Sequence, residues 1–259
     1  GLDIMKAVIL AGGYGTRIME ETQSIPKPLV TIGNKPILWH IMKLLSHYGI
    51  NEYIICCGYK GYMIKEYFAN YFLHLSDVTF DMKNNKMKVH NKYSEPWKVT
   101  LVDTGEKTAT GGRLKKVADF LDKSPFLFTY GDGIANINIQ KLIKFAINQK
   151  KIACVTAVKP PGRFGVLALK GNIVSKFIEK PEGDGNWING GFFILNPKVI
   201  EYITDDNCAW ESEPLSMLSK ENQLSAYKHY GFWRPMDTLR DKIILEELWN
   251  SGNAPWKVW

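Results

Sequence analysis

No apolar run in the 259-residue chain approaches the ~20 residues a membrane-spanning helix needs. Its start carries no basic segment followed by a signal-type apolar stretch, so the cytoplasm is the expected compartment and no membrane partner is expected. Residues Gly1–Ile4, ahead of Met5, read as a cloning remnant, which puts the expected domain at 5–259. Cysteine is scarce: Cys56, Cys57, Cys154 and Cys208 have no metal-ligand spacing, and adjacent Cys56 and Cys57 in an apolar run point to opposite faces. That pattern argues against a disulfide framework and for buried, inert thiols. Internal repeats, low-complexity segments and a domain-splitting linker are absent as well. Arginine is the last scarcity: of 33 basic residues only Arg17, Arg113, Arg163, Arg234 and Arg240 are arginine.

What is present suits one soluble α/β unit. A hydrophobic content of 45% supplies a core, and a net charge of +7 is compatible with anionic partners. The lysines are dispersed without aromatic interleaving, which argues against a nucleic-acid groove. Four of the five arginines instead follow or adjoin glycine- or proline-containing loops, where a planar guanidinium suits phosphate or carboxylate recognition.

Buried strands are expected at Met5–Leu10, Tyr53–Cys57, Val99–Asp103, Phe126–Tyr130 and Ile152–Val158. Between them, helices are expected at Pro36–Tyr48, Tyr62–Phe72, Leu114–Leu121 and Ile139–Gln149. The segments Val78–Met82 and Met87–Asn91 read as a hairpin turning on Asn-Asn. Later strands are expected at Val166–Leu169, Ile173–Glu179 and Phe192–Leu195, with helices near Pro197–Ile203, Glu213–Lys220 and Thr238–Trp249. Alternation of this kind implies a mostly parallel sheet covered on both faces, with the last ~40 residues as an appendage or oligomer contact. The aromatics Tyr67, Phe68, Tyr71 and Trp97 read as an exposed patch suited to a subunit interface.

Chemistry concentrates at the strand ends. The stretch Ala11-Gly-Gly-Tyr-Gly-Thr-Arg17 follows the first strand, where open α/β sheets bind ligands and where glycines let backbone N–H groups approach one. A bare G-x-G is weak evidence, and a tight turn explains it equally well. Pro26-Lys27-Pro28 adds to it, because flanking prolines cut the entropy of aiming one cation. Together with Arg17 these residues suit a nucleoside triphosphate. Asp132, between Gly131 and Gly133 at a strand end, and Asp237 far along the chain are candidate oxygen ligands for Mg²⁺ bridging phosphates. Thr110-Gly-Gly-Arg113 opens a helix whose N-terminus favours an anion. Glu179-Lys180-Pro181 and Asn189-Gly-Gly191 place polar groups between apolar strands, suited to sugar hydroxyls and a phosphate.

In this order the motifs resemble those of the sugar-1-phosphate nucleotidyltransferases. Within that family, "PILWHIMK", "YIICCGYKGY", "VTLVDTG", "TGGRLK", "FLFTYGDG", "PPGRFG" and "GFWRPMDTLRD" look most like the members that join CTP to glucose 1-phosphate, across nearly all of Met5–Trp259. The resemblance implies a single Rossmann-like domain of the nucleotide-diphospho-sugar transferase type, with a mostly parallel mixed sheet flanked by helices, a small β-hairpin and a C-terminal helical appendage. It implies CTP and α-D-glucose 1-phosphate as substrates, CDP-glucose and pyrophosphate as products, Mg²⁺ as cofactor, and a homo-oligomer, with a hexamer as one size. The implied nucleotide site is Leu10, Ala11, Gly12, Gly13, Gly15, Thr16, Arg17, Thr108, Gly112, Arg113 and Gly131. Lys27, Arg17 and Asp132 are the implied catalytic residues, and Asp132 and Asp237 the implied metal ligands. Lys27, Glu179, Lys180, Asn189 and Gly190 are implied to face the sugar phosphate. Two departures, Tyr14 for a more usual Leu or Met and Met19 for a small polar residue, bear on loop closure and fine substrate choice.

The chemistry then expected is in-line attack of the sugar phosphate on the α-phosphorus of CTP. A phosphate's second pKa is ~6, so the nucleophile is ionised at neutral pH and needs no general base. His40, His47, His74, His90 and His229 accordingly read as structural. Another nucleotide (UTP or dTTP), another sugar 1-phosphate, and a non-catalytic nucleotide-binding regulatory protein remain the rival readings.

Overall fold

A computed structural model describes residues 5–13, 24–90, 95–160, 166–178 and 187–259. Eight strands form the central sheet: β1 (Lys6–Ala11), β2 (Glu52–Cys57), β3 (Lys98–Asp103), β4 (Phe126–Tyr130), β5 (Ala153–Val158), β6 (Ile188–Asn189), β7 (Phe193–Leu195) and β8 (Leu224–His229). Their spatial order is β8, β5, β7, β4, β1, β2, β3, with the two-residue β6 sharing the β7 edge of β5. β6 and β7 run antiparallel to their neighbours, and every other pairing is parallel.

β1 shows why the sheet is covered on both faces. Its side chains alternate with period two: Ala7, Ile9 and Ala11 enter one core, Val8 and Leu10 the other. Cys57 and Cys56 divide the same way, and all four cysteines are buried free thiols. The first core is closed by the helices Ile37–His47, Ile139–Gln149 and Leu239–Asn250, the second by Thr110–Lys116, Glu213–Lys220 and the 3₁₀ turn Pro197–Tyr202. Local signals fix the helix ends. Asn138 caps Lys141 N at 3.1 Å, and Gly49, at φ 92°, ends Ile37–His47 in a backbone conformation a β-carbon resists.

Some elements differ from expectation. The helix expected at Tyr62–Phe72 divides at Asn70 into Gly61–Ala69 and Tyr71–Leu75. That expected at Leu114–Leu121 begins four residues earlier and gives way to a 3₁₀ turn at Ala118–Phe120. Tyr71 is buried, and Tyr67, Phe68 and Trp97 pack partly buried against the core, so these aromatics do not form the expected exposed patch. The exposed apolar side chains include instead Phe80, Met82 and Met87 of the hairpin Val78–Asp81/Lys86–Val89. Its turn passes through Asn84-Asn85, with Asn85 at φ 52°.

The closing helix is tied into the core through Leu245 and, beyond it, Trp256, both fully buried. Trp256 Nε1 donates to His40 Nδ1 at 3.2 Å, which leaves His40 Nε2–H to donate to Ile32 O at 2.8 Å. With both ring nitrogens engaged, a second proton would place two donors face to face. Burial drives the His40 pKa down from 6.5 to about 4, outweighing its backbone hydrogen bonds. A depressed histidine pKa gives stability that is complete above pH 6.5 and lost as pH falls towards 4, here about 3 kcal/mol. Denaturant titrations over that window should therefore show a shallower acid-side loss for His40→Gln than for the parent. Parallel slopes would refute this role for His40.

Candidate active site

The chain leaves β1, adds β2 and β3 on one side, then returns to place β4 on the other. The strand order reverses between β1 and β4, and the crevice outside their carboxyl ends is where such sheets hold ligands. Here it is a cavity of about 400 Å³, walled by Leu10–Gly13, Lys27-Pro28, Glu106–Thr110, Arg113 and Tyr130–Asp132. Gly131 N donates to Leu10 O at 2.8 Å, and a β-carbon at Gly131 would lie 2.4 Å from that carbonyl. Glycine there lets the ends of β1 and β4 close on each other.

Lys27 stands at the edge of this cavity. Pro26, in extended conformation, delivers it into a single 3₁₀ turn, Lys27–Leu29, and its side chain is only 12% exposed. Its ammonium meets Asp132 Oδ2 at 2.8 Å and Asp237 Oδ1 at 3.1 Å. A short antiparallel ribbon, Gly133–Ala135 with Trp233–Pro235, joins these carboxylates across the chain, and Met236 N donates to Asp132 O at 2.7 Å. A capping box at the helix Leu239–Asn250 then fixes Asp237: Asp241 Oδ2 accepts from Thr238 N and from Asp237 N at 3.1 Å. Asp241 Oδ1 meanwhile binds Arg234 Nη1 at 2.8 Å. Burial alone would depress the Lys27 pKa, but Asp132 and then Asp237 outweigh it and hold it above the ordinary lysine value. The group is a fixed cation flanked by two partly exposed carboxylates.

Arg113, only 5% exposed, has a different task. Its Nη1 donates to Thr104 Oγ1 at 2.9 Å and to Gly105 O at 2.7 Å. Its Nη2 donates to Glu106 O at 3.1 Å and to Gly12 O at 3.3 Å. One guanidinium thus satisfies oxygens gathered beyond the carboxyl ends of β1 and β3. A β-carbon on Gly12 would sit 2.1 Å from Nη1, so glycine is required for the fork to fit. Arg113→Ala should deprive these oxygens of their shared donor, with Gly12 O keeping its bond from Tyr59 N and Thr104 Oγ1 its bond to Cys57 O, and cost about 2–4 kcal/mol, measured by urea unfolding. A loss under about 0.5 kcal/mol, the range of an ordinary surface substitution, would show the clamp to be dispensable.

The comparisons bear on what this crevice serves. The nucleotidyl transferase family profile matches residues 6–234. The chain belongs to that family. It is 61% identical over 256 residues to the glucose-1-phosphate cytidylyltransferase of Salmonella typhimurium, covering 98% of this chain and 100% of that protein. The protein of the same name from Salmonella typhi matches equally, at 61% identity with 98% and 100% coverage. A UDP-glucose pyrophosphorylase structure from Acinetobacter baumannii superposes with a TM-score of 0.69 at 17% identity, covering 94% of this chain and 92% of that one, which speaks to fold alone.

In this nucleotidyl transferase the structure gathers most of the residues singled out by sequence. Leu10, Ala11, Gly12, Gly13, Lys27, Thr108, Arg113, Gly131 and Asp132 line one cavity, and Asp237 reaches it through Lys27. Among the described residues, Gly13 has no neighbouring heavy atom within 4 Å of a notional β-carbon. Gly112 faces elsewhere: its α-carbon packs on the backbone of Asp206, and its N–H donates to Cys208 O at 3.2 Å. The helix Thr110–Lys116 therefore offers fewer open N–H groups to an anion than its glycines suggest, since Ala109 N also donates, to Asp206 O at 2.8 Å. Asn189 and Gly190 lie beyond Tyr130, on and after β6, and Asn189 Nδ2 donates to Tyr130 OH at 3.1 Å. Gly15, Thr16, Arg17, Glu179 and Lys180, with Tyr14 and Met19, lie outside the described residues. Sequence reasoning passed over Glu106, Lys107 and Tyr130 of the cavity wall, and took Thr110 only as the start of an anion-favouring helix. For Tyr130 the signal was available, because it directly precedes Gly131-Asp132 at a strand end.

Proposed function

We propose that the chain transfers the cytidylyl group of CTP to α-D-glucose 1-phosphate, releasing pyrophosphate and forming CDP-glucose. The observation that carries the substrate choice is the 61% identity, over essentially the whole of both chains, to a protein named for that reaction. The crevice supports the chemistry. In this reading the Leu10–Gly13 backbone and Thr108 hold the nucleoside, with Arg113 and Gly131 shaping the floor beneath it. Arg17, with Gly15 and Thr16, grips the triphosphate, and Gly112 supports the wall that carries Thr108. Glu179, Lys180, Asn189 and Gly190 face the sugar phosphate.

Repulsion between two phosphates is the obstacle, and fixed charge in a crevice of low dielectric is the remedy. Lys27 is a cation at the operating pH, and its backbone is fixed at the crevice before substrate arrives. The acceptor phosphate is already ionised, so no side chain need remove a proton. The buried His40 fits this, both its nitrogens being taken by Trp256 and Ile32.

Members of this family generally use a divalent metal, and Mg²⁺ is the ion proposed here. The donor set fits it: Asp132 and Asp237 supply hard oxygens, converge on one point now held by an ammonium, and are 32% and 30% exposed. Among the described residues no group of three or more His, Cys, Asp or Glu could hold a metal, so Asp132 and Asp237 would hold the ion together with oxygens from outside the chain. When bound, Mg²⁺ supplies charge neutralisation for the phosphates.

A pyrophosphate-release assay over a grid of CTP, UTP and dTTP against several hexose 1-phosphates tests the reading. CTP with glucose 1-phosphate should exceed every other pair by at least about tenfold in kcat/KM. Equal or faster turnover with UTP, dTTP or another sugar phosphate would overturn the assignment.

A further inference from the structure

One hydrogen-bonded chain at the rim of the cavity joins Asn189 to Tyr130 and Glu211, which have no part in the roles above. Asn189 Nδ2 donates to Tyr130 OH at 3.1 Å, and Tyr130 OH donates to Glu211 Oε1 at 2.8 Å. Glu211 Oε2 accepts from Thr110 Oγ1 at 2.6 Å, and that hydroxyl in turn accepts from Trp210 N at 2.9 Å. The chain runs from the β6 side, where the acceptor is proposed to bind, to Thr110 on the nucleotide wall. The Tyr130 hydroxyl is the donor in its bond to Glu211, which leaves its oxygen to accept from Asn189.

The anchorage on the two sides is unequal. Thr110 opens a helix whose approach is fixed by backbone bonds, Ala109 N to Asp206 O and Gly112 N to Cys208 O. Glu211 is held by its neighbour Trp210, fully buried and edge-on to Phe128 and Phe193 at 5.9 and 5.7 Å. Asn189, by contrast, sits on a two-residue strand that pairs with β5 only at Ala157 and Val158. Its side chain is exposed, with Oδ1 accepting from Gly191 N at 2.8 Å and Nδ2 spent on Tyr130. Gly190 next to it is held through its backbone, its N donating to Thr156 O at 2.8 Å and its O accepting from Trp233 Nε1 at 3.0 Å, so breaking the chain at Tyr130 frees the Asn189 side chain and leaves both walls' backbones in place.

We infer that Tyr130 and Glu211 are positioning residues that hold the Asn189 side chain in register with the nucleotide wall at Thr110. The inference rests on the reading of Asn189 as facing the sugar phosphate. Its physical force comes from in-line transfer, in which a displacement of about 1 Å costs roughly a hundredfold in rate.

Tyr130→Phe is the test, because it keeps the ring that packs on Phe128 and Phe193 and removes only the hydroxyl. With the parent's best substrates, KM for the sugar 1-phosphate should rise about tenfold and kcat fall about fivefold, while KM for the nucleotide stays within about twofold and Tm is unchanged. Glu211→Ala should reproduce that split, and Glu211→Gln, which keeps an acceptor for Tyr130, should recover most of it. Tyr130→Phe kinetics equal to the parent's, or equal rises in both KM values, would overturn the inference. Failure of the substrate assignment would show separately, in the unmutated enzyme's preference across the nucleotide and sugar grid.

Discussion

Lys27→Ala is expected to lower kcat/KM by roughly two orders of magnitude or more, as loss of a preorganised charge in a reaction centre does. Three features give the residue this weight. Its backbone is fixed between Pro26 and Pro28, so little entropy is spent in aiming the side chain. Its ammonium is largely removed from solvent, where a unit charge acts more strongly than in water. Asp132 and Asp237 hold its pKa above the ordinary lysine value, so it carries full charge across any practical pH range. Without it, two carboxylates face two incoming anions with one positive group fewer. Lys27→Arg restores charge without the point-like ammonium and should recover only part of the rate. Steady-state pyrophosphate release is the readout, and near-parental kinetics for Lys27→Ala would remove the residue from the mechanism.

Asp132→Asn is expected to cost a similar factor, at least about a hundredfold in kcat/KM, by a different route. The substitution keeps the shape and deletes the charge that both steadies Lys27 and offers an anionic oxygen to a divalent cation. The two contributions separate in a Mg²⁺ titration. The concentration giving half-maximal rate should move up by about tenfold or more, and saturating Mg²⁺ should restore only part of kcat. The fold should survive, because Asp132 is partly exposed and its backbone is held through Met236 N. An unchanged Mg²⁺ requirement with an unchanged rate would exclude Asp132 as a ligand.

The sequence made the site's backbone legible because its punctuation is local. Glycines after β1, prolines around Lys27 and the Gly-Asp-Gly after β4 each mark a strand end, and the parallel sheet brings two of those ends together. Pairings made at long range left no such trace. Asp237 reaches Lys27 only through a three-residue ribbon and the Thr238–Asp241 capping box. β8 escaped notice because Leu-Ser-Ala-Tyr-Lys-His lacks a branched apolar run, being a strand whose one partner among the described residues lies 71 residues upstream of it. Arg113 illustrates a further limit: an arginine after Gly-Gly suggests an anion, yet carbonyls at the strand ends take up its guanidinium. Tyr67 and its aromatic neighbours were placed on the surface for want of knowing what packs beneath them.

The central claim is that Lys27 and a divalent cation on Asp132 and Asp237 together let two phosphates meet in the crevice between β1 and β4. Anomalous diffraction from crystals soaked with Mn²⁺, a non-hydrolysable CTP analogue and glucose 1-phosphate tests it most directly. The account predicts a metal peak bonded to both carboxylates, with Lys27 turned onto a phosphate and the nucleoside against Leu10–Gly13. A nucleotide bound outside this crevice, or a metal peak away from Asp132 and Asp237, would contradict it.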